Sequence, residues 1–115
     1  MSEKKIAGVR LPEEMFKTIE DIYYSCRFTS RSECTRWLLE QGSKDLLNNP
    51  NGQLPKIDVS GVTSKDISVQ LPEELFEKLE DFRYSRRIPS RAEAIRIVLS
   101  LALRNYEQSQ ILMKK

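Results

Sequence analysis

The sequence predicts a mostly α-helical protein with a two-stranded antiparallel ribbon, built from two copies of one strand–helix–helix unit. Three observations predict this class. The chain matches itself when shifted by 60 positions. Each copy opens on a short alternation of apolar and polar residues that stops at a proline. Each then carries a Ser-x-x-Glu box ahead of a second helical pattern.

A fixed internal period constrains an architecture more than any local pattern does. The shift lays Leu11-Pro12-Glu13-Glu14 on Leu71-Pro72-Glu73-Glu74, and the match continues through Phe16 and Phe76, Glu20-Asp21 and Glu80-Asp81, and Tyr24-Ser25 and Tyr84-Ser85. It runs on through Ser30-Arg31-x-Glu33 over Ser90-Arg91-x-Glu93, then Arg36 over Arg96 and Leu39 over Leu99. Between Lys5–Gly42 and Lys65–Ala102, 17 of 38 positions are identical without a gap. Chance does not produce that agreement.

The elements follow in order. In the first copy Ala7, Val9 and Leu11 alternate with Ile6, Gly8 and Arg10; in the second, Ile67, Val69 and Leu71 alternate with Asp66, Ser68 and Gln70. A period of two makes a strand with one buried and one exposed face. Pro12 and Pro72 are expected at the first helical position, where a missing N–H costs nothing. The paired glutamates after them suit the positive end of the helix dipole. Met15, Phe16, Ile19, Ile22 and Tyr23 then fall on one helical face, as do Leu75, Phe76, Leu79 and Phe82. A turn follows through Arg27-Phe28-Thr29 or Arg87-Ile88-Pro89. Ser30 and Glu33, like Ser90 and Glu93, read as capping boxes that open a second helix. Its apolar face carries Cys34, Trp37 and Leu38, or Ala94, Ile95, Val98, Leu99 and Ala102.

Residues 1–47 form the first unit, 48–64 a linker and 65–115 the second unit with a short C-terminal tail. Asn-Pro-Asn-Gly, Pro55 and Gly61 mark the linker. Extended, it reaches up to roughly 55 Å. A unit of about 40 residues rarely folds alone, and an isolated strand leaves its backbone unpaired. Both difficulties vanish if the two strands pair antiparallel with four helices beneath, as one intramolecular pseudo-dimer. Exchange of units between two chains is the alternative.

Composition narrows the function. With 39% hydrophobic and 31% charged residues the chain reads as globular and soluble. The apolar stretch from Ile95 to Leu103 is broken by Arg96 and Ser100, far from the roughly 20 residues that span a bilayer. No apolar segment follows Met-Ser-Glu-Lys-Lys, so no secretory signal is expected and the cytoplasm is the expected compartment. Two cysteines make no disulfide framework. Cys34, matched by Ala94, is expected in the core, and Cys26, matched by Arg86, on the surface. Without histidine no metal site is expected, nor any cofactor. No nucleophile–base pair or glycine-rich phosphate loop appears, so no enzyme is expected. Net charge is only +2, yet Arg27, Arg31 and Arg36, with Arg83, Arg86, Arg87, Arg91 and Arg96, gather in the second half of each unit. The acids Glu13, Glu14, Glu20 and Asp21, repeated 60 positions on, read as solvated helix faces.

The order strand, Leu-Pro-Glu-Glu, helix, turn, Ser-Arg-x-Glu-Cys/Ala-x-Arg resembles the ribbon-helix-helix DNA-binding family of the Arc/MetJ/CopG type. Pro89-Ser90-Arg91-Ala92-Glu93-Ala94-Ile95-Arg96 is especially similar to that family's second-helix opening. The likeness covers about two-thirds of the chain and is to the tandem, single-chain form.

This resemblance implies that the strand residues facing away from the core touch base edges of double-stranded DNA in the major groove: Ile6, Gly8 and Arg10 from one strand, Asp66, Ser68 and Gln70 from the other. Arg10 suits guanine, Gln70 adenine, Asp66 the amino group of cytosine and Ile6 a thymine methyl. Ile6, Gly8 and Asp66 depart from the polar or basic residues usual in the family, so an asymmetric site is expected rather than a palindrome. The resemblance also implies phosphate contacts from Ser30, Arg31, Ser90 and Arg91 at the second-helix N-termini. Lys4, Lys5 and Lys65 are expected to flank the DNA at the strand starts. A transcriptional repressor is the leading expectation; an accessory protein of conjugative DNA transfer, similar to TraY, stands second. An antitoxin-type or protein-interaction module is the remaining alternative, though an antitoxin would carry a longer tail. Ile111-Leu112-Met113 offers a means of self-association on adjacent operator sites, or simply a frayed helix end.

Overall fold

The computed structural model describes residues 5–48, 54–55, 57 and 63–113, apart from the side chains of residues 48 and 109–113. The chain runs β1 (Lys5–Pro12), α1 (Glu13–Ser25), α2 (Arg31–Asn48), β2 (Ser64–Leu71), α3 (Glu73–Ser85) and α4 (Arg91–Met113). It is mostly helical, with one two-stranded sheet. Lys4 and most of the linker, 49–53, 56 and 58–62, lie outside the described residues, as do the side chains of Ile111-Leu112-Met113.

The strands β1 and β2 pair antiparallel from Lys5 opposite Leu71 to Pro12 opposite Ser64, with Gly8 opposite Ser68 at the centre. Gly8 and Ser68 occupy the same position in the two copies, so exchanging the copies leaves the register unchanged. The alternation sends Ala7, Val9, Leu11, Val69 and Leu71 into the core, with Ile67 packed at its edge. Leu11 and Leu71 are fully buried, each worth about 1.5–3 kcal/mol. A slip of one residue would turn that whole set to solvent.

Four helices close the core on the inner side of the ribbon. Ile19 and Ile22 of α1 and Leu75 and Leu79 of α3 are buried, while Met15, Tyr23, Phe76 and Phe82 pack against them half-exposed. Phe16 is half-buried. Cys34, Leu38 and Leu39 of α2 meet Ile95, Val98, Leu99, Ala102 and Leu103 of α4. Leu39, Ile97 and Leu103 are buried beyond the apolar faces that periodicity assigns. The helices α2 and α4 approach closely at Gly42. A Cβ there would stand 2.5 Å from the Val98 carbonyl oxygen and 2.7 Å from its Cγ1.

Local chemistry sets the boundaries. Pro12 (ψ 144°) and Pro72 (ψ 151°) are extended, so they cap α1 and α3 from outside instead of opening them. The Glu13 N–H is taken up by the Thr63 carbonyl at 2.9 Å, which ties the end of the linker to the start of α1. Both first helices end in the same left-handed turn. Phe28 N–H donates to Tyr23 and Arg27 N–H to Tyr24; Ile88 donates to Arg83 and Arg87 to Tyr84. This is the Schellman pattern, with Arg27 (φ 57°) and Arg87 (φ 56°) where glycine is usual. The turns fall where the sequence places them, but without that glycine their left-handed residue is not marked in it. α4 continues through Arg104 to Met113, so the stretch expected as a tail is helical. No helix among the described residues is long and apolar enough to cross a membrane.

The two described glycines make opposite predictions. Gly42→Ala should lower stability by about 1–3 kcal/mol, because α4 must be pushed away to admit the methyl group. Nothing lies within 4 Å of a Cβ at Gly8, so Gly8→Ala should be neutral or stabilising by up to about 1 kcal/mol. Urea unfolding of both variants checks the pair, and equal effects would refute this packing.

Candidate nucleic-acid interface

The outer face of the ribbon carries Ile6, Gly8, Arg10, Asp66, Ser68 and Gln70, all of them exposed. Strand parity puts them there, and the register sets them in three cross-strand pairs: Ile6 with Gln70, Gly8 with Ser68, and Arg10 with Asp66. Ile6 is 70% exposed, so it adds nothing to the core. Arg10 Nε donates to Asp66 Oδ1 at 3.1 Å. Both side chains lie more than half in solvent, so this ion pair is worth about 0–1 kcal/mol and leaves the residues available.

Contacts from the second helices hold the backbone beneath these side chains. Ser32 Oγ accepts from the Gln70 N–H at 3.3 Å. Arg96 Nη1 donates to the Arg10 carbonyl at 3.1 Å. Sequence reasoning marks neither as a site residue. For Arg96 a signal exists, its match to Arg36 across the repeat; for Ser32, matched by Ala92, there is none.

The N-termini of α2 and α4 follow the expected capping chemistry. Ser30 Oγ accepts the Glu33 N–H at 3.1 Å, and Ser90 Oγ the Glu93 N–H at 3.1 Å. The carbonyls of Ser30 and Ser90 take the next N–H, from Cys34 and Ala94. The N–H groups of Arg31 and Ser32, and of Arg91 and Ala92, have no acceptor among the described residues. Among the described residues each helix therefore leaves two donors without an acceptor at its positive dipole end. The return half of the box differs: Glu33 accepts from the Thr29 hydroxyl. In the second copy Pro89 stands in that place, and its carbonyl accepts from Arg83 Nη2 at 3.1 Å.

Carboxylates of the first helices hold the expected phosphate-binding arginines. Arg31 grips Glu20 through Nε and through Nη2, the latter at 3.2 Å. Arg91 Nε donates to Glu80 Oε1 at 2.6 Å, and Arg83 Nη1 reaches Glu80 Oε2 at 3.5 Å. The hydrogen bond from Glu20 raises the Arg31 guanidinium above its usual value, and that from Glu80 raises Arg91. In return the Arg91 hydrogen bond holds the Glu80 carboxyl below the usual carboxylate range, against the opposing effect of burial. Glu20 and Glu80 are thus not the solvated faces that the sequence suggests. The pairing spans 11 residues and a turn, which no helical periodicity reveals.

Lys5 and Lys65 are exposed, but parity puts them on the helix side of the ribbon, at its ends. Lys5 Nζ stands 5.3 Å from the centre of the Phe76 ring, and Arg91 Cζ stands 4.6 Å from the same ring. Two expected phosphate contacts from different copies thus meet around one aromatic side chain. Away from this surface, Cys34 is buried and its thiol is pushed up to about 12 by desolvation, which makes it inert. Cys26 is exposed, its sulfur 3.6 Å from the Tyr106 hydroxyl. No group of residues that can hold a metal ion occurs among the described residues. Comparison of the chain with protein-family models, curated proteins and solved structures gives no match.

Glu80 makes stability depend on pH with a definite sign. Its folded value lies below its unfolded one, so its contribution is complete above about pH 4.5 and drains away as pH falls through the depressed value. Glu80→Gln should therefore cost about 1–2 kcal/mol near neutrality, and the gap to the parent should close as pH falls through the depressed value. Urea unfolding at a series of pH values measures it; a gap independent of pH would exclude this role.

Proposed function

We propose that this chain binds double-stranded DNA sequence-specifically and acts as a transcriptional repressor, laying the outer face of β1 and β2 in the major groove. One observation carries the reading: the ribbon leaves a complete row of six residues, five of them with side chains, in solvent while the core closes on its other face. A two-stranded ribbon fits a groove about 12 Å wide, where every base pair shows a distinct pattern of donors and acceptors.

In this reading the chain is a tandem ribbon-helix-helix protein whose two units form an intramolecular pseudo-dimer. The exchange-symmetric register and the repeat of every element support that architecture. Binding energy comes chiefly from phosphates. The free N–H groups at the starts of α2 and α4 supply two such sites, with Arg31 and Arg91 beside them. Each arginine exchanges part of its carboxylate contact for phosphate, so the electrostatic gain is smaller than two unpaired cations would give. The position of the bound sequence in the genome, at a promoter or at a transfer origin, separates repression from a role in conjugative transfer.

Fluorescence anisotropy with a genomic-fragment duplex pool, titrated over increasing salt, tests the proposal. Affinity should fall linearly on a log–log plot. Arg31→Ala with Arg91→Ala should make that slope shallower by about one for each phosphate that is no longer neutralised. Binding that ignores salt, or no binding near about 50 mM salt, would reject a DNA partner.

A further inference from the structure

We infer that the two end cross-strand pairs of the outer face each read one base pair as a unit: Arg10 with Asp66 an oriented G·C pair, and Gln70 with Ile6 an A·T pair. The inference rests on the DNA-binding reading above and adds which duplex the ribbon selects.

The two end pairs differ in chemistry. Arg10 and Asp66 face each other in the register and already touch, Nε to Oδ1 at 3.1 Å. That bond leaves both terminal Nη groups of Arg10, and Oδ2 of Asp66, without a partner among the described residues. The free groups are donors beside an acceptor. In the major groove guanine shows two acceptors, O6 and N7, beside the amino donor of cytosine. The match has a direction. A reversed C·G pair would set the carboxylate against O6, and thymine would set it against O4, acceptor against acceptor in either case. Ion pairing in the free protein therefore orients the two groups for their shared target.

At the other end Gln70 offers a donor and an acceptor on one carboxamide, the complement of adenine N6 and N7. Opposite it stands Ile6, an apolar side chain 70% in solvent, which suits the thymine methyl of the same base pair. The backbone of each polar reader is anchored from below, Gln70 by Ser32 and Arg10 by Arg96. Between the ends, Gly8 opposite Ser68 presents almost no side chain. The open space around Gly8 means the fold does not demand glycine there, and a bare centre lets the ribbon sit deep in the groove. The end pairs are four residues apart on each strand, roughly 13 Å. That distance corresponds to about four base pairs at roughly 3.4 Å each.

The test is selection of bound duplexes from random DNA at about 150 mM salt, followed by sequencing. It uses the full chain as wild type, Arg10→Ala, Asp66→Ala, the double variant and Gln70→Ala. These side chains are exposed, so unchanged unfolding temperatures should accompany the substitutions. Wild type should enrich an asymmetric motif with an oriented G·C pair and an A·T pair about four steps apart. Arg10→Ala and Asp66→Ala should each lose roughly tenfold preference at the G·C position alone, and the double variant little more, the non-additivity of a joint reader. Gln70→Ala should lose preference at the A·T position alone. Enrichment of other bases at these positions, or additive losses at the G·C position, would overturn the paired readout and leave DNA binding standing. No enrichment by the wild type would overturn both.

Discussion

A strand of eight residues cannot satisfy its own backbone, and the second strand among the described residues begins 59 positions later in this chain. The pairing of β1 with β2 is therefore the constraint on which the rest depends. It joins the copies, and its register decides which side chains form the core roof and which face solvent. Because the centre falls on Gly8 opposite Ser68, equivalent residues of the two copies receive equivalent surroundings. The helices then meet a roof of Ala7, Val9, Leu11, Val69 and Leu71, and α2 can approach α4 as closely as Gly42 permits. The exposed outer row and the core packing thus share one determinant, and a change of register would abolish both together.

Within this common frame the copies have diverged at chosen positions. Tyr106 of α4 sets its hydroxyl against Cys26 and its ring at a right angle to Trp37, 6.4 Å between centroids. Leu46 is its counterpart in α2, and there the equivalent space stays open as a cavity of about 320 Å³ bordered by Leu47, Phe82 and Arg86. Tyr23 corresponds to Arg83, which braces the second turn through Glu80 and Pro89. Thr29 corresponds to Pro89, and each completes its helix start differently. Divergence reaches the core as well, with Thr35 against Ile95 and Leu38 against Val98, while Leu11 and Leu71, or Leu39 and Leu99, remain identical there.

The parts legible in the sequence are those governed by period. Alternation identifies the buried and exposed faces of both strands, and Ser30 and Ser90 mark their helix starts by local chemistry. Proline signals a boundary, but not on which side of it the helix begins, since one residue of extended backbone decides that. The turns after the first helices are legible, but their Schellman geometry is hidden because arginine, not glycine, carries the positive φ. The grip of Glu20 on Arg31 and of Glu80 on Arg91 is hidden for another reason. Each joins two helices across a turn, and the pairing depends on a crossing geometry that no single element encodes. Contacts of Ser32 and Arg96 with the ribbon span 38 and 86 residues and are out of reach for the same reason.

On the proposed reading, the charge distribution bears on how the ribbon would meet DNA. A net charge of +2 is small, and the arginines nearest the helix starts are already matched by carboxylates. Long-range attraction to any duplex is weak under those conditions, because counterion release scales with the phosphates actually neutralised. Fixed elements take a larger share: backbone N–H groups held by capped helices, and side chains whose strands are anchored from beneath. Such groups lose little freedom on binding, and their contacts depend on geometry more than on charge. Weak general attraction combined with a rigid, chemically asymmetric ribbon favours discrimination between sequences over tight binding to all of them. That balance suits the proposed function, in which one short ribbon distinguishes its site from a great excess of other DNA.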